Sequence, residues 1–357
     1  MVIATPVYLS IIVPFHDSVG KCAPVLRTLA TIGAEEGVQI ILVDDGSSDG
    51  TLTLLRAFAE AHPAEVVVIE RSHAGPGAAR NSGLARAKGQ FIWFVDSDDD
   101  IDLDAIALAK ATPEMADVDL IIWGFDHPSI RTILAPGLHA TAHQPAPTDI
   151  FDPIVANWFS STFLDRSGLR FPENCIFEAT PLEAFLLPVL TDTFFKSEFA
   201  AYKCILDHRS VTRKADDRGL YDRLETVALG MKFIHSLELP YVHRAQFEVA
   251  FVRLMLWYSI RLSKWPDPSW VRAARVMRKY RDEARRFVIH DDPFDHYEGR
   301  SASRLILKLL WTASAALPSQ DGYFRRLRIS KWGREIDWTP PRGKLNWMRP
   351  GPAGSDA

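Results

Sequence analysis

The residues best suited to chemistry form a block of carboxylates that follows an apolar run. The run covers residues 91–95, and the next five positions hold Asp96, Asp98, Asp99 and Asp100. Its aromatic and β-branched residues indicate a buried parallel strand, so the block lies at the strand's carboxyl end. Open α/β sheets bind ligands at that edge, and clustered carboxylates suit a hard divalent cation that would hold a phosphate. For this block alone, a solvated acidic turn is the alternative interpretation.

Two further predicted strands end in the same way. Residues 9–13 are followed by His16 and Asp17, and residues 38–43 by Asp44 and Asp45. Helical patterns separate these strands, which predicts crossover connections and a mostly parallel sheet of α/β class. The polar strand ends then share one edge of the sheet. A solvated turn gives no reason for that recurrence, so the sequence favours a ligand site.

A glycine-rich turn enters a predicted helix between a third predicted strand, residues 66–69, and the acidic block. Residues 75–83 could present backbone N–H groups to an anion. The turn has neither the dinucleotide-binding fingerprint nor the Gly-Lys-Ser/Thr of a P-loop. Arg80 is its most informative member, because it is a permanent cation in an acidic neighbourhood.

Four segments together resemble the family 2 glycosyltransferases, which have the GT-A fold. They are residues 10–15, 43–51, 75–84 and 94–99, in the family's order and at about its spacing. The resemblance implies a Rossmann-like, mostly parallel sheet flanked by helices. It also implies a nucleotide-sugar donor, most often UDP-linked, and Mn²⁺ or Mg²⁺ as the cofactor.

The resemblance also assigns roles to residues of this sequence. Pro14, Phe15 and Asp45 would hold the base and ribose, with Asp44 beside them, Arg80 near the base and phosphates, Asp96 at the ribose, and Asp98 on the metal. The last assignment makes residues 96–98 the family's DxD motif. Family members invert the anomeric centre by direct displacement, and the attacking hydroxyl then needs a carboxylate general base.

The expected general base is missing from the matching position. Residues 158–195 resemble the acceptor half of bacterial surface-polysaccharide transferases, in which a tryptophan-bearing helix precedes an aromatic-Glu-Asp motif that supplies the base. Here the motif reads Phe177, Glu178, Ala179, and alanine accepts no proton. Three explanations are open: an engineered Asp→Ala substitution that traps a complex, which we favour; Glu178 acting as the base; or a binding protein without turnover.

Composition gives a broad class and a compartment. The chain has 357 residues, of which 47% are hydrophobic and 24% charged, as in ordinary globular proteins. Three cysteines without metal or disulfide spacing favour a reducing compartment. The first residues do not match a signal peptide, and no apolar run reaches about 18 residues, the length a membrane span needs. These features predict a cytoplasmic protein.

The charge distribution divides the chain. Residues 1–240 hold 19 basic and 33 acidic residues, a balance of −14, whereas residues 241–357 hold 22 and 12, a balance of +10. We expect a catalytic domain over 1–240, with a nucleotide-sugar-binding half (1–110) and an acceptor half (111–240). Residues 241–357 would form a basic helical region. Its arginines, lysines and tryptophans suit an anionic membrane surface, and a packed subdomain with a solvated basic face is equally compatible.

The sequence therefore predicts a metal-dependent, inverting glycosyltransferase of the hexosyltransferase type. It would build a bacterial-type surface polysaccharide or glycolipid on a saccharide or lipid-linked acceptor, peripherally attached to the inner face of the membrane. The alternative is a catalytically silent nucleotide-sugar-binding protein, suggested by Ala179. A nucleotidyltransferase is disfavoured because its glycine-rich, basic N-terminal signature is absent, and no nucleic-acid-binding module is recognisable.

Overall fold

A computed structural model describes residues 6–33, 37–62, 65–126, 135–141, 153–205 and 217–237, together with 239, 243, 244, 246–248, 250, 251 and 254. The strands are β1 Leu9–Phe15, β2 Val38–Asp45, β3 Glu65–Arg71, β4 Phe91–Phe94, β5 Asp100–Ile101, β6 Leu120–Asp126, β7 Gly137–Ala140, β8 Asn157–Ser160 and β9 Thr193–Lys203. The helices are α1 Ala23–Leu29, α2 Thr51–Ala61, α3 Pro76–Leu84, α4 Asp104–Ala111, α5 Ser161–Ser167, α6 Leu187–Leu190 and α7 Asp217–Ser236, with a π-helical stretch at Leu182–Leu186.

The described strands form one mixed sheet in the order β3-β2-β1-β4-β8-β6-β9-β5, and β7 pairs with β9. Strands β1 to β4 run parallel, and β8 is antiparallel to both β4 and β6. The α/β class predicted from alternating strand and helix patterns is therefore confirmed. Because β1, β2 and β4 are parallel neighbours, their carboxyl ends share one edge, as the sequence predicted.

Aromatic side chains fill the core along β4, β6 and β8. Trp93, Trp123 and Trp158 are at most 1% exposed, and the ring centroids of Trp158 lie 5.3 Å from Trp93 and 5.0 Å from Trp123. Burying such a side chain is worth about 2–3 kcal/mol, so this cluster holds the middle of the sheet together. Close packing on the other face places Gly83 of α3 against Ile12, where a Cβ atom would lie 2.4 Å from the Ile12 side chain.

Two local expectations are wrong. The sequence of residues 126–150, with several Pro, His and Thr residues and no periodicity, predicts an irregular segment, yet β7 pairs antiparallel with β9. Its backbone hydrogen bonds stabilise a short edge strand that has no hydrophobic run to reveal it. Trp158 was expected on a helix but lies in β8; helix α5 begins at Ser161, and the Ser160 hydroxyl caps it by accepting the Phe163 N–H at 3.1 Å.

Residue contacts divide the chain into two compact units. The described residues of unit 1 lie within Met1–Glu173 and Leu187–Asp207, and those of unit 2 within Asn174–Leu186 and His208–Ile336. The predicted domain boundary at residue 240 stays a prediction. Most of the basic region 241–357 lies outside the described residues. In the part of the chain that is described, no helix is both long and apolar enough to cross a membrane.

Candidate functional site

The candidate site is built from the carboxyl ends of β1, β2 and β4 in unit 1. Phe15 of β1 stands opposite Asp44 in the parallel register with β2. On the other side, Ile12 stands opposite Phe94, and the N–H of Val95 donates to the Ile12 carbonyl at 3.0 Å. The acidic block therefore begins next to the end of β1. The structure brings Pro14, Phe15, Asp44, Asp45 and the start of the block to one edge.

A buried serine ties the loop after β1 to the acidic block. Ser18 is fully buried; its N–H donates to the Thr51 hydroxyl at 2.8 Å, and its own hydroxyl lies 3.2 Å from that of Ser97. Ser97 is the central residue of the Asp96-Ser97-Asp98 motif. The loop after β1, the start of α2 and the acidic motif are thus held as one unit of structure.

Both carboxylate oxygens of Asp45 accept hydrogen bonds from groups of the protein itself. Asp45 is 2% exposed and accepts from Arg71, from His73 Nδ1 at 2.7 Å and from the Gly75 N–H at 2.8 Å, with a longer bond from the Ala74 N–H. Burial alone would raise its pKa, but the hydrogen bonds from His73, Ala74 and Gly75 and the charge of Arg71 outweigh that effect and lower it. Asp45 therefore fixes the glycine-rich turn that leads into α3.

Asp44, its neighbour, is only partly used. The side chain is 1% exposed, and one oxygen, Oδ2, accepts the Ser47 N–H at 3.1 Å. The other oxygen, Oδ1, is buried and has no hydrogen-bond donor among the described residues. An unsatisfied buried carboxylate oxygen is costly, so this atom is suited to receive an N–H group from a ligand.

Arg80 connects α3 to the acidic block. Its guanidinium is almost fully buried, donates to Asp96 Oδ1 at 2.6 Å, and lies 5.4 Å from the centre of the Phe171 ring. The next residue, Asn81, clamps the backbone of Phe171 by accepting its N–H at 3.0 Å and donating to its carbonyl at 2.9 Å. Helix α3 thus joins the acidic block to the segment that precedes Glu173.

The four aspartates of the block have different surroundings. Asp99 is 8% exposed and accepts from the Tyr202 hydroxyl at 2.6 Å and the Ile205 N–H at 2.8 Å. Burial and the charges of Asp96 and Asp98 raise its pKa to about 6 despite those hydrogen bonds. Asp100 accepts from the Thr28 hydroxyl at 2.7 Å. Asp98 lies 3.7 Å from Lys21 Nζ, and its side chain is 30% exposed.

The donor atoms at this edge fit a hard divalent cation. Asp96 and Asp98 offer carboxylate oxygens on side chains 38% and 30% exposed. Among the described residues, no group of three or more His, Cys, Asp or Glu side chains is arranged to hold a metal. Mg²⁺ in phosphate-handling sites is bound by one or two carboxylates plus substrate phosphates, and two aspartates meet that requirement.

The two residues at the expected base position lie in unit 2. Glu178 is 5% exposed, and Ala179 begins a helical turn in which its carbonyl accepts the Glu183 N–H at 3.0 Å. The segment is anchored to α7, because the Ile176 N–H donates to the buried Asp222 at 3.0 Å. Position 179 thus stands at the first turn of a helical segment, where the backbone dipole favours a carboxylate.

Comparison with known proteins agrees with this architecture. The family model described as glycosyl transferase family 2 matches residues 10–127, about a third of the chain. The poly(ribitol-phosphate) beta-glucosyltransferase of Bacillus spizizenii is 40% identical over 101 residues, covering 28% of this chain and 16% of that protein. The poly(ribitol-phosphate) beta-N-acetylglucosaminyltransferase TarS of Staphylococcus aureus is 24% identical over 281 residues, covering 74% of this chain and 48% of TarS. The chain thus spans less than half the length of these relatives.

Solved structures extend the likeness to the fold of most of the chain. The structure of S. aureus TarS residues 1–349 in complex with UDP-GlcNAc matches with a TM-score of 0.64 at 18% identity, covering 86% of this chain and 88% of that one. The fold is therefore of the GT-A class. Residues 10–127 match the glycosyl transferase family 2 model, and the resemblance drawn from the four sequence segments is confirmed over that stretch.

The structure adds site residues that the motifs did not single out. Tyr202 is distant in sequence from Asp99, and only the pairing of β5 with β9 brings them together. His16 and His73 stack with ring centroids 3.9 Å apart, and each Nδ1 lies within 3.0 Å of the Asp45 carbonyl. For His16 and His73, the available sequence signal was that each is a polar residue shortly after a strand. The basic segment 208–213 resembles a segment that closes over the donor in related enzymes and is equally compatible with a solvated loop; it lies outside the described residues.

Proposed function

We propose that the protein is a metal-dependent inverting glycosyltransferase that uses a UDP-linked sugar. The observation that carries the proposal is the carboxyl edge of β1, β2 and β4. There, the buried Asp44 Oδ1 lacks a donor among the described residues, and the Arg80–Asp96 pair adjoins Asp98, whose side chain is 30% exposed. One end of this edge suits a base, and the other suits a cation with a diphosphate.

Asp44 supports a uracil base in particular. Uracil carries one imide N–H between two carbonyl groups, and that N–H can donate to the vacant carboxylate oxygen. Phe15, next to Asp44 in the sheet register, is 1% exposed and gives that position an apolar neighbour. Asp45 acts indirectly in this proposal, because it holds the glycine-rich turn in place and does not offer a free oxygen to the ribose.

Arg80 and Asp98 support the chemistry of the leaving group. Departure of the sugar builds negative charge on the diphosphate, and a cation bound at Asp98 would neutralise part of it. Arg80 provides a second positive charge that the protein fixes through Asp96 and the Phe171 ring. Asp96 therefore orients the guanidinium and remains exposed enough, at 38%, to contact the ribose.

The acceptor hydroxyl needs a base, and Ala179 occupies the position where the family has one. We therefore propose that proton removal is the incomplete step in this chain and that an aspartate at 179 would supply it. Glu178 is 5% exposed, which makes it a poorer substitute than a carboxylate at the next position.

The experiment has two parts. UDP-, GDP- and CDP-linked sugars are titrated into the protein by calorimetry with Mn²⁺ or with EDTA, and tight binding is expected only for UDP-sugars with Mn²⁺. Sugar transfer is then measured for the unaltered chain and for Ala179→Asp, with Ala184→Asp in the following turn as the control. Absence of UDP-sugar binding would refute the proposal, and absence of any gain in Ala179→Asp would refute the assignment of the base.

Ala179 also favours a second candidate, a nucleotide-sugar-binding protein without turnover. It shares the donor site and differs in the reaction. Transfer or donor hydrolysis by the unaltered chain with Mn²⁺ would exclude it, whereas tight UDP-sugar binding with no turnover in either form would favour it.

For the acceptor we propose a saccharide or lipid-linked surface polymer, supported by the poly(ribitol-phosphate) transferases among the relatives. We further propose a cytoplasmic location with peripheral attachment through residues 241–357. Flotation with anionic liposomes, comparing the full chain with one ending near residue 240, tests the attachment. Equal binding by both would refute it.

A further inference from the structure

Lys21 lies at the acidic motif, although none of the motifs that define the donor site includes it. Its Nζ is 3.7 Å from Asp98 Oδ2, and the two side chains are 32% and 30% exposed. The pair is therefore close enough to interact and open enough to exchange partners. Such half-exposed pairs are weak, typically below about 1 kcal/mol, so a stronger ligand can displace the lysine.

The backbone places Lys21 there by construction. The carbonyl of Ser18 accepts the N–H groups of Lys21 and Cys22, both at 3.0 Å. The hydroxyl of the same Ser18 lies 3.2 Å from that of Ser97, between the two aspartates of the motif. Ser18 and Cys22 are at most 1% exposed, so both sides of this connection are anchored in the core. The lysine is thus held beside the motif by a buried link and not by the ion pair alone.

The charges around the Asp96-Ser97-Asp98 motif indicate a role for Lys21. Arg80 bonds to Asp96 and Lys21 faces Asp98, so each outer carboxylate of the motif has a cation of the protein nearby. A divalent cation on Asp98 would repel Lys21 from that oxygen. A nucleotide diphosphate brings about two negative charges to the same place, and the released ammonium can then pair with them.

We propose that Lys21 is a positioning residue that exchanges partners, holding Asp98 before the cation arrives and pairing with the donor diphosphate afterwards. This inference rests on the proposed function. Lys21 therefore opposes binding of the cation alone and favours binding of the nucleotide, which gives opposite signs in two separate measurements.

The test compares Lys21→Met and Lys21→Arg with Lys88→Met. Lys88 is the matched control. Its Nζ lies 2.6 Å from Glu65 Oε1, and both side chains are exposed. Lys88 precedes β4 and therefore lies at the opposite edge of the sheet from the acidic block. Mn²⁺ binding without nucleotide is followed by electron paramagnetic resonance of the free ion, and UDP binding at saturating Mn²⁺ by calorimetry.

For Lys21→Met we expect Mn²⁺ to bind about threefold more tightly and UDP at saturating Mn²⁺ to bind about three- to tenfold more weakly. Lys21→Arg should keep the UDP affinity, and Lys88→Met should change neither value. If Lys21→Met left the binding of Mn²⁺ and of UDP unchanged, or weakened both equally, the proposed exchange of partners by Lys21 would be overturned. Failure of the unaltered protein to bind UDP or Mn²⁺ would instead overturn the proposed function and the inference together.

Discussion

The acidic residues at the end of β2 and those at the end of β4 are compensated very differently. At β2, the buried Asp45 receives Arg71, His73 and two backbone N–H groups, and its pKa is lowered. At β4, the buried Asp99 receives a hydroxyl and one N–H, and burial with the charges of Asp96 and Asp98 raises its pKa to about 6. The protein has compensated Asp45 from within and has left the block at β4 with excess negative charge.

We propose that this difference separates a scaffold from a binding site. A carboxylate whose partners are all protein groups contributes to stability, and its replacement should damage the fold. A block whose negative charge is under-compensated gains most from an external cation. The comparison predicts that substitution of Asp45 acts mainly on unfolding free energy and that substitution of Asp98 acts mainly on ligand affinity.

The largest effect is expected for Asp45→Asn. Its amide would point N–H groups at Arg71 or at the backbone N–H groups of the turn, and breaking a buried charge pair costs about 3–5 kcal/mol. Urea denaturation followed by circular dichroism measures this loss. Glu70→Gln is the control, because its pair with Arg56 is about 60% exposed and its removal should cost less than about 1 kcal/mol. A similar loss in both variants would remove the distinction between scaffold and surface.

Next in size is the loss of metal-supported donor binding in Asp98→Asn. An amide is a weaker ligand than a carboxylate, and we expect UDP affinity in Mn²⁺ to fall about 30-fold, or about 2 kcal/mol, with little change in stability. Asp102→Asn is the control, since Asp102 pairs with Lys203 at 3.1 Å just beyond the block. A loss of stability in Asp98→Asn as large as that in Asp45→Asn would contradict the assignment of ligand and scaffold.

Lys196 is a buried cation that the acidic residues of neither β2 nor β4 compensate. Its replacement tests the cost of such a charge. Lys196 is 4% exposed, its described hydrogen bond is to the Trp123 carbonyl at 3.2 Å, and burial lowers its pKa from 10.5 to about 8. Lys196→Met should therefore stabilise the protein by about 2 kcal/mol at pH 7, after allowing for the lost hydrogen bond.

The pH dependence gives that prediction a sign. Below pH 8 the lysine is charged in both the folded and unfolded states, so the full cost of burial is present. Between about pH 8 and 10.5 the folded state has released the proton while the unfolded state keeps it, so the unaltered protein gains stability as pH rises. The advantage of Lys196→Met should shrink across this window, and an advantage independent of pH would contradict the account.

The smallest effect is expected for Asp44→Asn. The variant keeps the size of the side chain but offers one acceptor fewer, so UDP should bind about tenfold more weakly, or about 1.4 kcal/mol. N3-methyl-UDP, which lacks the imide donor, serves as the control ligand and should bind both forms equally. If Asp44→Asn weakened the binding of UDP and of N3-methyl-UDP equally, Asp44 would not contact the imide.

Much of the fold could be predicted from sequence, because the strands that become β1, β2 and β4 are apolar runs between helical patterns. The shared edge followed from their parallel order. Edge strand β7 could not be predicted, since its register depends on backbone hydrogen bonds to β9. In the candidate site, motif positions predict roles for Arg80 and Asp98, whereas the contacts of Asp99 with Tyr202 and of Lys21 with Asp98 depend on tertiary structure.

The central claim is that the block at β4 binds the donor through an added cation. Its most direct test is the UDP affinity of the unaltered protein and of Asp98→Asn, each measured by calorimetry with and without Mn²⁺. The account predicts that Mn²⁺ tightens UDP binding about 30-fold, a coupling of about 2 kcal/mol, in the unaltered protein and leaves Asp98→Asn nearly unaffected. UDP binding that is equally tight with and without Mn²⁺, or a coupling that survives in Asp98→Asn, would contradict it.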